Sequence, residues 1–226
     1  MATRTRRPER RGKPLSRERI VEAAIELLDT AGESGLTFRA LAERLATGPG
    51  AIYWHVAGKD ELLGAATAAV VAGAMTADTA DTADTTPQDA IRALALGAFD
   101  AIDDHPWIGA QLTRAPGQSP MMRVFEHIGR QVQALGVPAA DQFTVASALW
   151  SYILGVAGQN AAKARSAPPD TDRAEFLGAV SAVWANLDPD EYAFTRSVAG
   201  QLREHDDREE FLAGIDLILT GITAGR

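Results

Sequence analysis

Residues 37 to 59 hold the side chains with the clearest capacity to bind a partner. Tyr53 and His55 carry hydrogen-bond donors, and Trp54 lies between them with a large indole ring. Lys59 falls in the first turn of a predicted helix, where its ammonium group and the free backbone N–H groups would bind the same phosphate. These groups predict contact with a polyanion. The alternatives are core packing for Tyr53 and Trp54, and a solvated charge for Lys59.

Three predicted helices position these side chains. The first extends from Leu15 to Ala31, because Ser16 can cap it and apolar residues recur at helical spacing. Thr37 can cap a short second helix, and the Gly48-Pro49-Gly50 break begins a third that runs through Trp54. Two short helices across a tight turn, after a longer amphipathic helix, form the arrangement that places a recognition helix in a major groove.

The net charge of −8 seems at first to argue against a nucleic-acid partner. The charge is unevenly distributed, however, because residues 1–61 hold 11 basic and 9 acidic residues, whereas residues 62–226 hold 11 and 21. Residues 1–19 alone hold eight basic and two acidic residues. We therefore predict a basic flexible arm over residues 1–14 that contacts phosphates or a narrow minor groove. The alternative is a tail that only adds solubility.

The remainder of the chain predicts helices and no strands. A fourth helix opens at Gly58 and fades into the Ala-Asp-Thr repeat of residues 76–86, which has no apolar face and predicts a linker. Further helices are predicted over 88–104, a short segment after Pro106, 119–135, 139–165, 172–186, 190–203 and 207–223. The sequence thus predicts an all-α fold. A three-helix DNA-binding domain over residues 15–61 precedes a helical-bundle domain for ligand binding and dimerisation over residues 62–226.

Several classes of function are excluded by composition and motif. The chain has no cysteine, no Gly-rich phosphate loop and no Gly-x-Ser-x-Gly or His-Glu-x-x-His motif, so we expect neither an enzyme nor a cofactor. His105 beside Asp103 and Asp104 could ligate a metal, but adjacent residues on a helix diverge, and we predict no metal site. The sequence shows no membrane span and no signal peptide, so we expect a cytoplasmic protein.

The residues from Leu36 to Leu63, LTFRALAERLATGPGAIYWHVAGKDELL, resemble the DNA-binding domain of the TetR (tetracycline repressor) family, and the helix from Ser16 resembles the first helix of that domain. The segment EEFLAGIDLILTGI at residues 209–222 resembles the closing helix of a tetracycline-repressor-like C-terminal domain. The resemblance implies a transcriptional regulator, by default a repressor. It implies phosphate contacts from Thr37, Arg39, Tyr53, His55 and Lys59. It implies turn and groove-facing positions for Thr47, Gly48, Pro49, Gly50, Ala51 and Trp54.

Two features depart from the family pattern. Ala46-Thr47 stands where the family usually has Gly followed by an apolar residue. The residues from Gly48 to Ala51 carry no side-chain donor or acceptor, so they cannot make the bidentate contacts that discriminate bases. We hypothesise that specificity comes from Arg39, Thr47, apolar contact of Ala51 or Trp54 with thymine methyl groups, and the basic arm.

The C-terminal region is predicted to dimerise and to hold an effector. The helices over 139–165 and 207–223 are apolar on more than one face, which predicts a two-fold homodimer and a palindromic operator. A cavity between helices would bind a small apolar or aromatic molecule. The candidate lining residues are Trp107, Met121, Met122, Phe125, His127, Gln131, Trp150, Tyr152, Asn160 and Trp184. The alternatives are a ligand-independent DNA-binding protein and a helical adaptor whose basic arm binds acidic protein.

Overall fold

The computed structural model describes residues 14–77, 85–111, 121–166 and 172–224. The predicted basic arm, apart from Pro14, and most of the Ala-Asp-Thr repeat lie outside these ranges. The described residues form α-helices and one 3₁₀ helix, with no strand among them, which confirms the all-α prediction. The helices are α1 (Arg17–Gly35), α2 (Phe38–Arg44), α3 (Pro49–Tyr53), α4 (Lys59–Ala77), α5 (Pro87–Asp104), α6 (Ile108–Gln111), α7 (Met121–Ala134), α8 (Gln142–Ser166), α9 (Arg173–Ala185), α10 (Ala193–Val198), the 3₁₀ helix (Gln201–Glu204) and α11 (Asp207–Ala224).

Two predicted helices differ from those observed. The backbone of α1 does break at Gly32, which has φ 64° and ψ −171°, but a further turn continues to Gly35. The single helix predicted over 190–203 is wrong, because the segment forms α10 and then the 3₁₀ helix. The Ser181 hydroxyl donates to the carbonyl of Ala199 (2.6 Å), and the N–H of Arg203 bonds to Gly200 instead. A side chain distant in sequence thus takes the carbonyl that an uninterrupted helix would use.

The chain divides into two compact units after Ala69. In the first unit, α1 packs against α2 and α2 packs against α3. Its core is apolar and almost completely buried; the largest members are Ile20, Leu28, Leu36, Leu41, Ile52, Leu62 and Leu63. Burial of each side chain contributes roughly 1.5–3 kcal/mol before the entropy of ordering is counted. The core therefore holds two very short helices that could not persist alone.

The second unit is a helical bundle around α5, which packs against α7, α8 and α11. Phe99 of α5 stacks on Phe211 of α11 with ring centroids 4.7 Å apart, and Phe211 stacks in turn on Tyr152 of α8 at 5.6 Å. The helices α9, α10 and the 3₁₀ helix pack on one another. Across the described parts of the chain, no helix is long and apolar enough to cross a membrane.

Candidate nucleic-acid interface

The turn between α2 and α3 has a fixed hydrogen-bonded geometry. The N–H of Thr47 donates to the carbonyl of Ala42 (2.9 Å), and the N–H of Ala46 donates to the carbonyl of Glu43 (3.2 Å). This pair of bonds defines a Schellman motif, which requires a left-handed residue at its centre. Ala46 has φ 50° and is that residue. The turn that aims α3 therefore has the conformation that favours glycine, although the sequence supplies alanine.

The start of α2 is fixed by a cap and by an aromatic stack. The N–H of Ala40 donates to the Thr37 side-chain oxygen (3.1 Å), which confirms that Thr37 caps this helix. Phe38, the next residue, stacks on Tyr53 with ring centroids 4.3 Å apart and planes within 1° of parallel. Stacking of this kind contributes about 0.5–1.5 kcal/mol beyond burial. It therefore holds the Tyr53 ring at the end of α3.

The helix α3 separates buried from exposed side chains sharply. Ile52 is completely buried and anchors the helix to the core. Tyr53 is 56% exposed and Trp54 is 90% exposed, although both are aromatic residues that proteins usually cover. Pro49 and Gly50 are exposed as well. The outer side of α3 thus presents a phenol, an indole and a stretch of backbone with little side chain over it.

The beginning of α4 is joined to both ends of α1. Glu61 accepts a hydrogen bond from the N–H of Ala57 (2.6 Å) and forms an ion pair with Arg17 at 2.8 Å. Lys59 donates from its Nζ to the carbonyl of Glu33 (2.5 Å). The Lys59 ammonium therefore has an intramolecular partner and holds α4 against the end of α1, a role that sequence reasoning did not foresee.

The remaining predicted contact residues in α2, in the turn and after α3 differ in exposure. Arg39 is 88% exposed at its side chain and pairs with Glu43 one turn later at 3.1 Å. Thr47 is half-buried in the turn, and His55 is half-buried just after α3. His55 is also one of the groups that lower the pKa of Glu18, after hydrogen bonds from the Glu18 backbone and the Ser16 hydroxyl. The stack of Phe38 on Tyr53 brings the start of α2 next to the end of α3, and the assignment of these residues to a DNA contact stays a prediction.

Two residues that position this surface were absent from the prediction. Phe38 orients Tyr53, and Glu61 joins α4 to Arg17. The only available signal for Phe38 was an aromatic residue directly after a cap. Glu61 had no signal, since its partner lies 44 residues away in sequence.

The predicted effector residues are dispersed over the second unit. Trp107 is buried, and Phe125 packs edge-on against Trp150 with centroids 6.0 Å apart. Tyr152 donates to the carbonyl of Phe211 (3.2 Å), and burial raises its pKa, so this phenol is part of the bundle's packing. His127 Nδ1 lies 2.8 Å from the carbonyl oxygen of Arg123. Met122 is 52% exposed; half-buried side chains belong to Gln131, Asn160 and Trp184. Met121 begins α7, and its side chain lies outside the described part.

An apolar cavity of about 20 Å³ lies in the second unit. Its lining comes from the end of α4 and from α5, α6 and α7, and consists of Val71, Ala74, Met75, Leu94, Ala98, Ala101, Ile102, Ile108 and Val124. None of the predicted effector residues with a described side chain lines it. Its volume is that of roughly one water molecule, whereas a drug-sized ligand needs about 300–1,000 Å³. The described residues contain no cluster of three metal-ligating side chains.

A short helix-turn-helix unit followed by a helical bundle is an architecture found in bacterial transcriptional regulators. The family profile for bacterial regulatory proteins of the tetR family matches residues 20–66. The fold is similar to that of a solved TetR transcriptional regulator from Streptomyces coelicolor, with 64% identity and a TM-score of 0.84 over 93% of this chain and 99% of that chain. The chain belongs to the TetR family, which confirms the resemblance found in the sequence. Since the family comprises transcriptional regulators, the expectation that the chain is not an enzyme is also confirmed.

Two further comparisons differ in sequence identity and in the share of each protein that they cover. A transcriptional regulator of Saccharopolyspora erythraea is 33% identical over 153 residues, which are 66% of this chain and 64% of that protein. The match therefore spans less than two thirds of that relative's length. ActR of Streptomyces coelicolor, solved in complex with actinorhodin, is 20% identical with a TM-score of 0.73 over 95% of this chain and 98% of that chain. At 20% identity, this comparison shows only that the two proteins have a similar fold.

Proposed function

We propose that the protein is a homodimeric repressor that binds a palindromic operator and releases it when a small apolar or aromatic effector binds. One observation carries the DNA contact: Tyr53 and Trp54 are exposed side by side at the end of α3, and no other large apolar side chain among the described residues of the first unit is exposed. A free protein gains nothing from exposing an indole, whereas an interface centre commonly uses one. Operator binding would place the protein in the cytoplasm, where bacterial DNA lies.

The phosphate contacts are proposed for the groups that flank this pair. The Tyr53 hydroxyl extends from a ring already held by Phe38, so little entropy would be lost when it donates to a phosphate. Arg39 supplies a guanidinium at the start of α2, and His55 follows α3. Lys59 would reach a phosphate only by exchanging its bond to Glu33, or would contribute its charge alone.

The dimer is proposed from the outer faces of α8 and α11. Leu217 of α11 is 75% exposed, and Ala213 one turn earlier is exposed too. The outer face of α8 carries small exposed residues at helical spacing, namely Ala148, Ser151 and Gly155. Small residues on one helix and a projecting leucine on another suit the close packing of a four-helix interface. A dimer presents two copies of α3 to successive major grooves.

Effector binding is proposed for the apolar cavity of the second unit. The last residues of α4 line the cavity, and the first residues of α4 are fixed to α1 through Glu61 and Lys59. Because the cavity is small, the effector would bind a conformation in which α5, α6 and α7 have moved apart, and this preference is what shifts the equilibrium. A coupling of about 1–3 kcal/mol would change operator affinity by roughly 5- to 150-fold.

The test begins with selection of bound fragments from genomic DNA by the full chain. We expect one inverted-repeat sequence to be enriched, with a steep dependence of affinity on salt, near −0.9 in log units for each phosphate contacted. Apolar metabolites are then screened for release of that fragment. Enrichment without any releasing compound would favour a ligand-independent DNA-binding protein, and no enrichment at all would favour a helical adaptor.

A further inference from the structure

The exposed side of α3 is poor in the groups that usually read bases. From Gly48 to Ala51 no side chain carries a donor or acceptor, and the next residue, Ile52, is buried. Within α3, the Tyr53 side chain carries a hydrogen-bonding group. The neighbouring residues along the chain whose side chains carry one are Thr47, before α3, and Trp54, directly after it. The residues from Gly48 to Ala51 therefore cannot recognise an operator through the donor and acceptor code of the major groove.

Gly48 is the N-cap of α3, a position that glycine fills readily, whereas nothing within the protein explains Gly50. Neither Gly48 nor Gly50 has a positive φ, so the backbone conformation does not demand glycine at either position. A Cβ atom built on either residue meets nothing within 4 Å, so packing does not demand it. Glycine inside a helix is unfavourable relative to alanine. The missing side chain at Gly50 therefore points to an external surface that approaches the backbone of α3 closely.

We propose that α3 reads its operator by close apolar contact, with Gly50 admitting the edges of the base pairs and with Pro49, Ala51 and Trp54 contacting thymine methyl groups. The inference rests on the proposed operator binding and specifies its chemistry. Each half-site then contains a 5-methyl pyrimidine opposite α3. The 90% exposure of Trp54 is explained, because its indole covers a methyl group that water would otherwise surround.

The first test is Gly50→Ala in the full chain. We expect the thermal midpoint of unfolding to rise by about 1–4 °C, as for a glycine replaced in a helix. We expect affinity for the selected operator to fall at least about tenfold, because the added methyl group lies between α3 and the bases. Gly64→Ala is the matched control: Gly64 is exposed in α4 and its added Cβ also meets nothing. This variant should gain stability and leave affinity unchanged.

The second test replaces single thymines of the selected operator by deoxyuridine, which removes one methyl group and keeps every hydrogen bond. We expect one or two positions in each half-site to lose about fourfold in affinity, the value for one buried carbon group of ~0.8 kcal/mol. The Trp54→Ala variant should be indifferent to at least one of these replacements. Replacing a cytosine by 5-methylcytosine elsewhere in the half-site should have no effect.

The outcomes separate this inference from the proposed function. Failure to enrich any operator would overturn the proposed function itself. An operator that is bound selectively, with equal affinity for thymine and deoxyuridine at every position, would overturn only the methyl contact. Unchanged affinity in Gly50→Ala would overturn the close approach, and a lower thermal midpoint in that variant would show that the glycine has an intramolecular reason.

Discussion

Replacing Ala46 by glycine should stabilise the helix-turn-helix. Ala46 is the central residue of the Schellman motif after α2, with φ 50°. An L-residue in this conformation costs about 1–2 kcal/mol, which glycine avoids. Glycine also makes the unfolded chain more flexible, which offsets roughly 0.5–1 kcal/mol of that gain. The expected net stabilisation of the turn is therefore about 0.5–1 kcal/mol.

Native-state hydrogen exchange of the full chain measures this change where it occurs. A stabilisation of this size should slow exchange of the amides between Leu45 and Val56 by about two- to fivefold, since the local opening constant falls by that factor. The N–H of Thr47 is the most informative, because its bond to Ala42 exists only in the left-handed turn. Ala68→Gly is the matched control, because Ala68 is exposed within α4 and its replacement should accelerate local exchange.

Unchanged or faster exchange in the turn of Ala46→Gly, with Ala68→Gly behaving as expected, would contradict the stabilisation expected at this position. That result would mean that Ala46 carries no conformational cost and that its turn differs from the one described. Operator affinity of Ala46→Gly should stay within about twofold of the parent, because the hydrogen bonds that aim α3 are preserved.

Three further predictions concern the second unit. Leu217→Glu places a charge on the exposed face of α11 and should give a monomer in light scattering at micromolar concentration, whereas a persistent dimer would exclude α11 from the interface. Gly214→Ala should destabilise the bundle by about 1–3 kcal/mol in urea unfolding, since its Cβ would overlap the Tyr152 ring; an unchanged midpoint would disprove this close packing. Backbone N–H donors of α11 lower the pKa of Asp206, so its contribution is complete above the ordinary carboxyl pKa and is lost as pH falls through the folded value. Asp206→Asn should reduce the loss of stability on acidification, and an unaltered pH profile would contradict that role.

The helical layout could be read from the sequence because it depends on local signals. Caps such as Thr37, breaks such as Pro49 and apolar spacing all act within a few residues, and most observed helices follow them. The prediction of a single helix over 190–203 was wrong because it missed a contact between residues that are distant in the sequence. Its interruption depends on Ser181, whose hydroxyl reaches the carbonyl of Ala199 from another helix.

In the candidate site too, contacts between residues that are distant in the sequence could not be predicted. The exposure of Tyr53 and Trp54 argues against core packing, which was the alternative for both residues, and their assignment to the interface stays a prediction. The partner of Lys59 could not be read from sequence, since the carbonyl of Glu33 comes close only when α1 and α4 have packed. The same holds for the stack between Phe38 and Tyr53, which joins two helices across the turn.

The assignment of the effector residues stays a prediction. Aromatic and methionine residues on helices serve either a core or a pocket, and spacing does not distinguish these roles. Tyr152 illustrates this, because its ring lies over Gly214 and its hydroxyl bonds to Phe211. The cavity is lined by alanine, larger aliphatic residues and Met75, which are the residue types of an ordinary helical core and give no signal of a pocket in a sequence.

Footprinting of the selected operator, combined with the stoichiometry of the complex, tests the central claim most directly. We predict two protected half-sites related by a dyad, centred one DNA turn of about 10–10.5 base pairs or a multiple of it apart, with two chains bound, and with the same half-sites protected by Trp54→Ala only at higher protein concentration. Uniform protection of unrelated DNA by both the parent and Trp54→Ala, with one salt dependence, would contradict recognition by a dimer through α3.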